Sequence, residues 1–340
     1  MMELYIWPSE FGLPSVDPQC LQFMACAKFC AAPITVVPST SPWKFNGSFP
    51  LVAIKREGRS KPDYVADFDS FAEILRTSAQ DVILDSELTA AQRSEFDAYS
   101  SMMLQSFYPA LLYLLWLDRW NYEAVTSPWF STTLFFPYGL YYLEKHRMKV
   151  KAYIDARGRS EKSLLLDAMT TISLLSAKLG DNKYFYGDKP SSLDALIFGY
   201  LAPIMKMPLP SDRLQQHLLS FANLVRFVES IISIYLPLTD SQLRLQSVSR
   251  DVWFKRRTRA QKAAERLNIK KQTAEPEEAV SQMNFAFSLS RTILSLFFIK
   301  FFTPLRDTVL FAFAAVTLSL LFAVHTGLVA FQTSDEETEE

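Results

Sequence analysis

The sequence has few of the residues that build metal sites and disulfide frameworks: three cysteines and three histidines in 340 residues. Cys20, Cys26 and Cys30 share one segment with no histidine nearby, so the ligand spacing of a zinc site is missing. A Cys-x-x-Cys pair is also missing, which disfavours a disulfide oxidoreductase. Free thiols fit a reducing compartment, and we expect neither a metal nor another cofactor.

The chain also has little net charge, −1 at pH 7, which disfavours nucleic acid or another polyanion as the main partner. The charges are nevertheless unevenly placed. Nine lysines and arginines between positions 250 and 271 are opposed there only by Asp251 and Glu265. We interpret residues 238–284 as a basic linker, which is either a solvated helix or a contact with anionic lipid headgroups.

Formal charge is absent from the 24 residues 308–331. As a helix they would be about 36 Å long, enough to cross a bilayer core of about 30 Å, so we predict a transmembrane helix. The apolar segment 285–304 before it still carries Arg291 and Lys300 and is predicted to be amphipathic, and 332–340 is an acidic tail. Basic residues on the near side of the span predict that the body faces the cytosol.

The first part of the chain alternates strand and helix patterns. Residues 4–7 and 34–37 have strand patterns, and neither the basic start nor the cleavage site of a signal peptide precedes them. Asp17 and Pro18 predict the start of a helix between these strands, and a helical crossover makes the strands parallel. The apolar stripe of this helix consists of Cys20, Phe23, Met24, Ala27 and Ala31.

Pro50 lies immediately ahead of a third strand, within residues 48–54. In this order of elements it resembles the cis-proline of thioredoxin folds, so we predict a cis Phe49–Pro50 bond. A helix predicted at 67–75 then closes a thioredoxin-like domain over residues 1–80.

Residues 81–237 have a helical pattern throughout and are predicted to form an all-helical domain. Pro109 interrupts the first stripe and should kink or divide that helix. Further helices are predicted at 161–179, 192–207 and 212–235.

A capped, uncharged helix lies near the middle of the chain. Ser191 and Asp194 have the spacing of a capping box, with Asp in place of the usual Glu. The residues that follow, 195–203, carry no charge, and a helix that is apolar all round is a buried one. Such a helix behind an aromatic–Gly–Asp turn resembles the core of the helical domain of glutathione transferases. The resemblance implies a glutathione transferase-like fold, in which an α/β domain precedes an all-α domain; the predicted transmembrane helix would follow.

This resemblance indicates where glutathione would bind. A transferase needs Tyr, Ser or Cys near the end of its first strand to hold a thiolate, and Ser9 has that position. Cys20 lies in the first turn of a helix, which lowers a thiol pKa, but it also belongs to an apolar stripe, where a buried thiol is inert. Asp69–Ser70 stands where many transferases hold the γ-glutamyl group, although a serine there is also an ordinary cap. We expect no catalysis from this set.

Three segments resemble the metaxin family: residues 12–15, 120–130 and 185–195. With 27–29 the likeness covers about residues 1–237, and the C-terminal anchor resembles the anchored branch of the family. This implies a non-enzymatic subunit of the sorting and assembly machinery of the mitochondrial outer membrane, which inserts β-barrel proteins. The implied partners are a second metaxin-like chain, the β-barrel core subunit and the lipid bilayer.

Aromatic residues in 116–142 are candidates for a partner surface, because such residues dominate interface hot spots; the alternative is that they fill the helical core. The candidates are Trp116, Trp120, Tyr122, Trp129 and Phe130. Two other functions remain open from the sequence: a membrane-anchored glutathione-dependent transferase, and a tail-anchored fission factor with a transferase-like fold. The fission factors carry a long insertion between the core helices, which is missing here. The acidic tail departs from the basic tail of most outer-membrane anchors and leaves the endoplasmic reticulum open.

Overall fold

A four-stranded mixed sheet forms the N-terminal part of the structure, a computed structural model that describes residues 2–45, 49–55, 62–77 and 84–273. The strands are β1 (Met2–Ile6), β2 (Ile34–Pro38), β3 (Leu51–Ile54) and β4 (Asp63–Val65). Their order across the sheet is β2-β1-β3-β4. β1 is parallel to β2 and antiparallel to β3, and β3 is antiparallel to β4, so the predicted parallel βαβ unit is confirmed. The Phe49–Pro50 bond ahead of β3 is cis.

The described residues also form twelve α-helices, which follow in chain order: α1 (Pro18–Phe29), α2 (Phe68–Thr77), α3 (Ala90–Met102), α4 (Tyr108–Leu112), α5 (Arg119–Asn121), α6 (Ser127–Thr133), α7 (Tyr138–Asp155), α8 (Glu161–Leu179), α9 (Ser192–Lys206), α10 (Arg213–Leu219), α11 (Ala222–Tyr235) and α12 (Asp240–Thr273). A 3₁₀ turn, Pro42–Phe45, lies between β2 and β3. The helices predicted at 161–179 and 192–207 correspond to α8 and α9.

Helix α1 connects β1 to β2. The Asp17 carboxylate accepts a 2.9 Å hydrogen bond from the Cys20 N–H and caps the helix, and Pro18 takes the first helical position. The first four residues of the predicted stripe are buried, and so is most of the rest of α1, because the helix packs against both α2 and α9. Ala31, the last residue of that stripe, lies beyond the helix end and is exposed.

Helix α9 is buried from Ser192 to Met205, as its lack of charge predicts. It packs against α1 on one side and against α3, α10 and α11 on others. It therefore joins the α/β part of the fold to the helical part.

Widened, π-helical turns interrupt the helical region at Met103–Phe107, Tyr113–Leu117 and Tyr122–Thr126. The first and last of them end just before a proline: Pro109 and Pro128 are the second residues of α4 and α6. Proline has no N–H to donate, and its ring crowds the carbonyl four residues earlier, so a widened turn accommodates both. The helix division predicted at Pro109 takes this form.

The single helix predicted at 212–235 is wrong. Helices α10 and α11 meet at Ser220 and Phe221 and are bent by 90° relative to each other. The Ser220 hydroxyl donates to the His217 carbonyl at 2.7 Å, and such a bond competes with the helical pattern. Neither glycine nor proline marks this break in the sequence.

The segment predicted as a basic linker, 238–284, is described as far as residue 273; there it forms α12, and 274–284 lie outside the described residues. The residues of α12 up to Arg266 belong to the same compact unit as the sheet and the other helices, Met1–Arg266, and Trp253 is buried there. The remaining residues, Leu267–Glu340, form a second unit.

Among the described residues, no single helix is long and apolar enough to cross a bilayer. Helices α10 and α11 reach that length and composition when they are taken together, but they are bent by 90° relative to each other. The amphipathic segment predicted at 285–304, the transmembrane helix at 308–331 and the acidic tail at 332–340 lie outside the described residues.

Candidate functional site: a covered loop and an exposed aromatic patch

The turn before α9 holds a closed set of hydrogen bonds with the geometry of a capping box. Ser191 Oγ accepts from the Asp194 N–H at 3.3 Å, and Asp194 Oδ2 accepts from the Ser191 N–H at 2.8 Å. The other carboxylate oxygen accepts from the Phe185 N–H at 2.9 Å. Burial raises the pKa of Asp194 to about 6, although these hydrogen bonds favour its charged form. The carboxylate is thus fully engaged within the fold.

Asp85 joins the α/β part to the helical part, and nothing in the sequence pattern identified it. It accepts from the Ser192 N–H at 2.9 Å and from the Ser192 hydroxyl at 2.5 Å. Arg76 of α2 pairs with the same carboxylate at 2.7 Å. The start of α9 and the end of α2 are therefore tied through one side chain.

Helix α12 binds the loop after β1, where a thiolate-holding residue would lie in a transferase. Gln246 Oε1 accepts from the Gly12 N–H at 2.7 Å, and Gln246 Nε2 donates to the Leu13 carbonyl at 3.4 Å. The Ser249 hydroxyl donates to Glu10 Oε1 at 2.6 Å. The turn at 10–13 is therefore fixed to the side of α12.

The contact continues along α12. The Trp253 ring packs edge-on against Phe11, with 5.1 Å between ring centroids. Arg257 pairs with Asp212 at 2.8 Å, in the connection between α9 and α10. Helix α12 thus connects the first loop of the chain to the helical domain.

The candidate nucleophiles are poorly placed for thiol chemistry. Ser9 is half-buried and directly precedes the turn that α12 covers. Cys20 is fully buried, and burial, reinforced by the Asp17 charge, raises the pKa of its thiol well above the usual value. Burial also raises the pKa values of Cys26 and Cys30. A neutral, buried thiol is inert, so none of the three cysteines is prepared to act as a thiolate.

The candidate γ-glutamyl site at Asp69–Ser70 is occupied by the chain itself. Both the N–H and the hydroxyl of Ser70 donate to Asp67 Oδ2, each at 2.9 Å. Asp67 therefore caps α2, and its carboxylate takes the donors that an anionic ligand would need.

Three of the five residues predicted as a partner surface are in the core, so the prediction is wrong for them. Trp116, Trp129 and Phe130 are all buried. Trp129 and Phe130 pack against Trp7, which follows β1, and Trp116 packs against Phe130. Ring centroids lie 6.1 Å apart between Trp7 and Trp129 and 5.2 Å apart between Trp7 and Phe130, both edge-to-face. The Trp116 ring also contacts His146 of α7, with 4.0 Å between ring centroids and an angle of 35° between the ring planes. These rings fill the space between the sheet and the helices and are therefore not available on the surface.

The other two predicted surface residues, Trp120 and Tyr122, are half-buried. The Arg119 guanidinium lies 5.2 Å from the Trp120 ring centroid, and that of Arg147 lies 4.4 Å from the Tyr122 ring centroid. Each ring thus has a cation over one face and keeps part of its area accessible.

An exposed aromatic patch lies where the 3₁₀ turn meets the start of α7. It consists of Trp43, Phe135, Phe136 and Leu140, which are 38%, 56%, 81% and 56% exposed. The Trp43 ring is edge-on to Phe135 at 4.9 Å and to the half-buried Tyr138 at 4.6 Å, so two distant chain segments form one surface. Exposed apolar patches commonly mark interaction sites. Three of the four patch residues lie within the segment 116–142 and Trp43 lies outside it, and none of the four is among the predicted candidates, because periodicity cannot show which rings a neighbouring element covers.

Comparison with known proteins identifies the family. A family model described as an outer mitochondrial membrane transport complex protein matches residues 20–147, and a glutathione S-transferase C-terminal domain model matches residues 168–231. A metaxin-1 homolog of Caenorhabditis briggsae is 44% identical over 339 residues, 99% of this chain and 100% of that one. The chain belongs to the metaxin family. The family resemblance seen in the sequence is thereby confirmed.

Vertebrate metaxins are similar over the body of this metaxin. Metaxin-3 of Xenopus laevis is 34% identical over 71% of this chain and 79% of its own length, and metaxin-1 of Sus scrofa is 32% identical over 69% and 75%. A glutathione S-transferase of Ceriporiopsis subvermispora, solved with glutathione, superposes with a TM-score of 0.50 at 13% identity, over 70% of this chain and 99% of that one. The structural likeness shows the fold: a glutathione transferase-like arrangement of a small mixed sheet and many helices.

Proposed function

We propose that this metaxin is a non-catalytic subunit of the sorting and assembly machinery of the mitochondrial outer membrane, where it assists import and insertion of β-barrel proteins by docking other proteins. The matches to metaxins and to the outer-membrane transport model support a role in transport at that membrane. The observation that carries the docking mode is the aromatic patch, whose four residues all lie within the matched range 20–147.

The state of the transferase-like site supports a role without catalysis. The loop after β1 is bound to α12 through Gln246. The thiol of Cys20 is buried, and the donors of Ser70 are taken by Asp67. A thiolate nucleophile and an anion-binding pocket are both needed for glutathione chemistry, and these contacts work against each of them.

The proposed partners are a second metaxin-like chain, the β-barrel core subunit of the machinery and the lipid bilayer, which residues 308–331 would enter. The body would face the cytosol. The aromatic patch is assigned to a protein partner because exposed Trp and Phe side chains contribute strongly to protein interfaces once they are desolvated.

The test is co-purification of the full-length chain from mitochondria in mild detergent. Trp43→Ser combined with Phe136→Ser should reduce recovery of the partner subunits several-fold and slow β-barrel assembly. A matched control is Leu166→Ser with Leu174→Ser, two exposed leucines of α8 that are 64% and 50% exposed. Undiminished recovery with the patch variant, at wild-type expression and melting temperature, would contradict docking through this surface.

A further inference from the structure

The outward face of α12 carries a row of exposed basic side chains: Lys255, Arg259, Lys262 and Arg266. Their spacing of four, three and four residues places them on one face of the helix. At a rise of 1.5 Å per residue the row is about 16 Å long. Asp240–Thr273 holds ten lysines and arginines but three acidic residues, a net charge of +7 in a chain whose total is −1. The positive charge of the protein is therefore concentrated on this helix.

The same row continues toward the helix N-terminus with apolar side chains. Leu245, Val248 and Val252 are 73%, 79% and 51% exposed, and they precede Lys255 at spacings of three and four residues. Exposed apolar and basic side chains on one helical face are typical of helices that lie in the membrane interface, where the apolar groups reach the acyl boundary and the cations meet the headgroups.

The opposite face of α12 fixes the orientation of this row. Gln246, Ser249, Trp253 and Arg257, also spaced by three and four residues, make the contacts with the 10–13 turn and with Asp212. Because that face is bound to the body, the basic row points away from the body.

We propose that this outward face of α12 docks on the headgroups of an anionic lipid bilayer. The inference rests on the membrane location in the proposed function and adds a second attachment to it. Charge complementarity identifies the occupant, since lysines and arginines near such a surface are attracted to its anionic lipids. The sequence beyond α12 is consistent with this, because the 24 uncharged residues 308–331, which are proposed above to enter the bilayer, follow the helix in the chain.

The experiment uses the full-length protein in nanodiscs of phosphatidylcholine, with or without phosphatidylserine. A fluorophore is attached at Ala263→Cys, an exposed position beside the row. The native cysteines are buried and do not compete for the label. Spin-labelled headgroups quench the fluorophore only on close approach. We expect strong quenching in anionic discs, weak quenching in neutral discs, and loss of the difference at high salt.

Charge variants supply the second arm. The α12 variant combines four substitutions: Lys255→Gln, Arg259→Gln, Lys262→Gln and Arg266→Gln. Each lost charge should weaken docking about fivefold, so quenching of this variant in anionic discs should fall to the level seen in neutral discs. The control removes the same charge from other exposed sites: Lys149→Gln, Lys151→Gln, Lys162→Gln and Arg213→Gln. Equal quenching of the wild type in both lipid compositions, or quenching retained by the α12 variant, would overturn the proposal. Because the discs contain no partner subunit, the result is independent of the test of the aromatic patch.

Discussion

Gly199 of α9 lies so close to Gln22 of α1 that a β-carbon at position 199 would stand 2.2 Å from Gln22 Cγ. The same β-carbon would be 2.7 Å from the Pro18 carbonyl oxygen, which is backbone and cannot turn aside. The contact between the α/β part and the buried helix of the helical part therefore requires glycine at this position.

Gly199→Ala should destabilise the protein by about 1–3 kcal/mol, the usual cost of overpacking a well-packed core. Urea unfolding of the purified variant measures it. Adding Gln22→Ala should restore part of the loss, because it removes the side-chain clash and leaves the clash with the Pro18 carbonyl. Unchanged stability of the single variant would show that α1 and α9 are further apart than described.

The capping residues of α9 should matter for stability and not for chemistry. Ser191→Ala is expected to cost about 1 kcal/mol, the range for a lost cap. Asp194→Ala should cost about 2–3 kcal/mol, because it leaves the buried N–H groups of Ser191 and Phe185 without their acceptor. Thr89→Ala, at the exposed capping box of α3, is the matched control and should cost less than Asp194→Ala. Equal melting temperatures for wild type and both α9 variants would contradict this role.

Local patterns were sufficient for several elements, among them the start of α1 and the helices α8 and α9. Two helix starts are signalled by local residue pairs: Asp17 with Pro18, and Ser191 with Asp194. The capping hydrogen bonds join residues three positions apart, so the sequence alone is enough to predict these starts. The lack of charge in 195–203 likewise predicts a buried helix, because burial of a charge is costly anywhere.

What depends on distant partners could not be predicted. Gln246 bonds Gly12 across 234 positions, and no local pattern links them. Trp129 is buried because Trp7 covers it, whereas Phe136 is exposed. The spacing of residues in this segment does not reveal that Trp7 is a neighbour. The covered loop and the aromatic patch therefore required the tertiary structure.

His146 should make the protein less stable as pH falls. Burial lowers the pKa of its imidazole to about 4, against about 6.5 in an unfolded chain. The neutral ring is favoured in the fold, so its contribution is complete above pH 6.5 and is lost as pH falls through 4; the loss is roughly 2–3 kcal/mol.

His146→Phe keeps a ring against Trp116 and removes the titration. The stability difference between wild type and variant, measured by urea unfolding from pH 7 to 4, should shift in favour of the variant as pH falls. Asp17 and Asp194, whose pKa values burial raises to about 6, titrate in the opposite sense, but they are present in both proteins and cancel in the difference. A difference that does not change with pH would mean that His146 is solvated.

The contact of α12 with the first loop should be visible in amide hydrogen exchange. Gln246→Ala removes the acceptor of the Gly12 N–H and should speed exchange in the 10–13 turn, with little effect on α9. Gln242→Ala, whose side chain bonds Thr239 at the start of α12, changes the same helix without touching the loop and serves as the control. Equal exchange of the turn in both variants would show that α12 does not hold it.

Glutathione should bind this metaxin with millimolar affinity or not at all, and conjugation to a generic electrophile should not occur. The γ-glutamyl carboxylate of glutathione would have to displace Asp67 from both donors of Ser70. The thiol of glutathione would have to be activated beside Ser9, where the loop is bound to α12. Calorimetric titration and a conjugation assay measure the two quantities, with a glutathione transferase as the positive control. A micromolar dissociation constant, or turnover that disappears in Ser9→Ala or Cys20→Ala, would favour the membrane-anchored transferase. Asp67→Ala frees both donors of Ser70, but we expect it only to loosen the start of α2 and not to create a glutathione site, because the loop beside Ser9 stays bound to α12 and the cysteines stay buried. Micromolar binding of glutathione by this variant would show instead that the pocket is merely blocked.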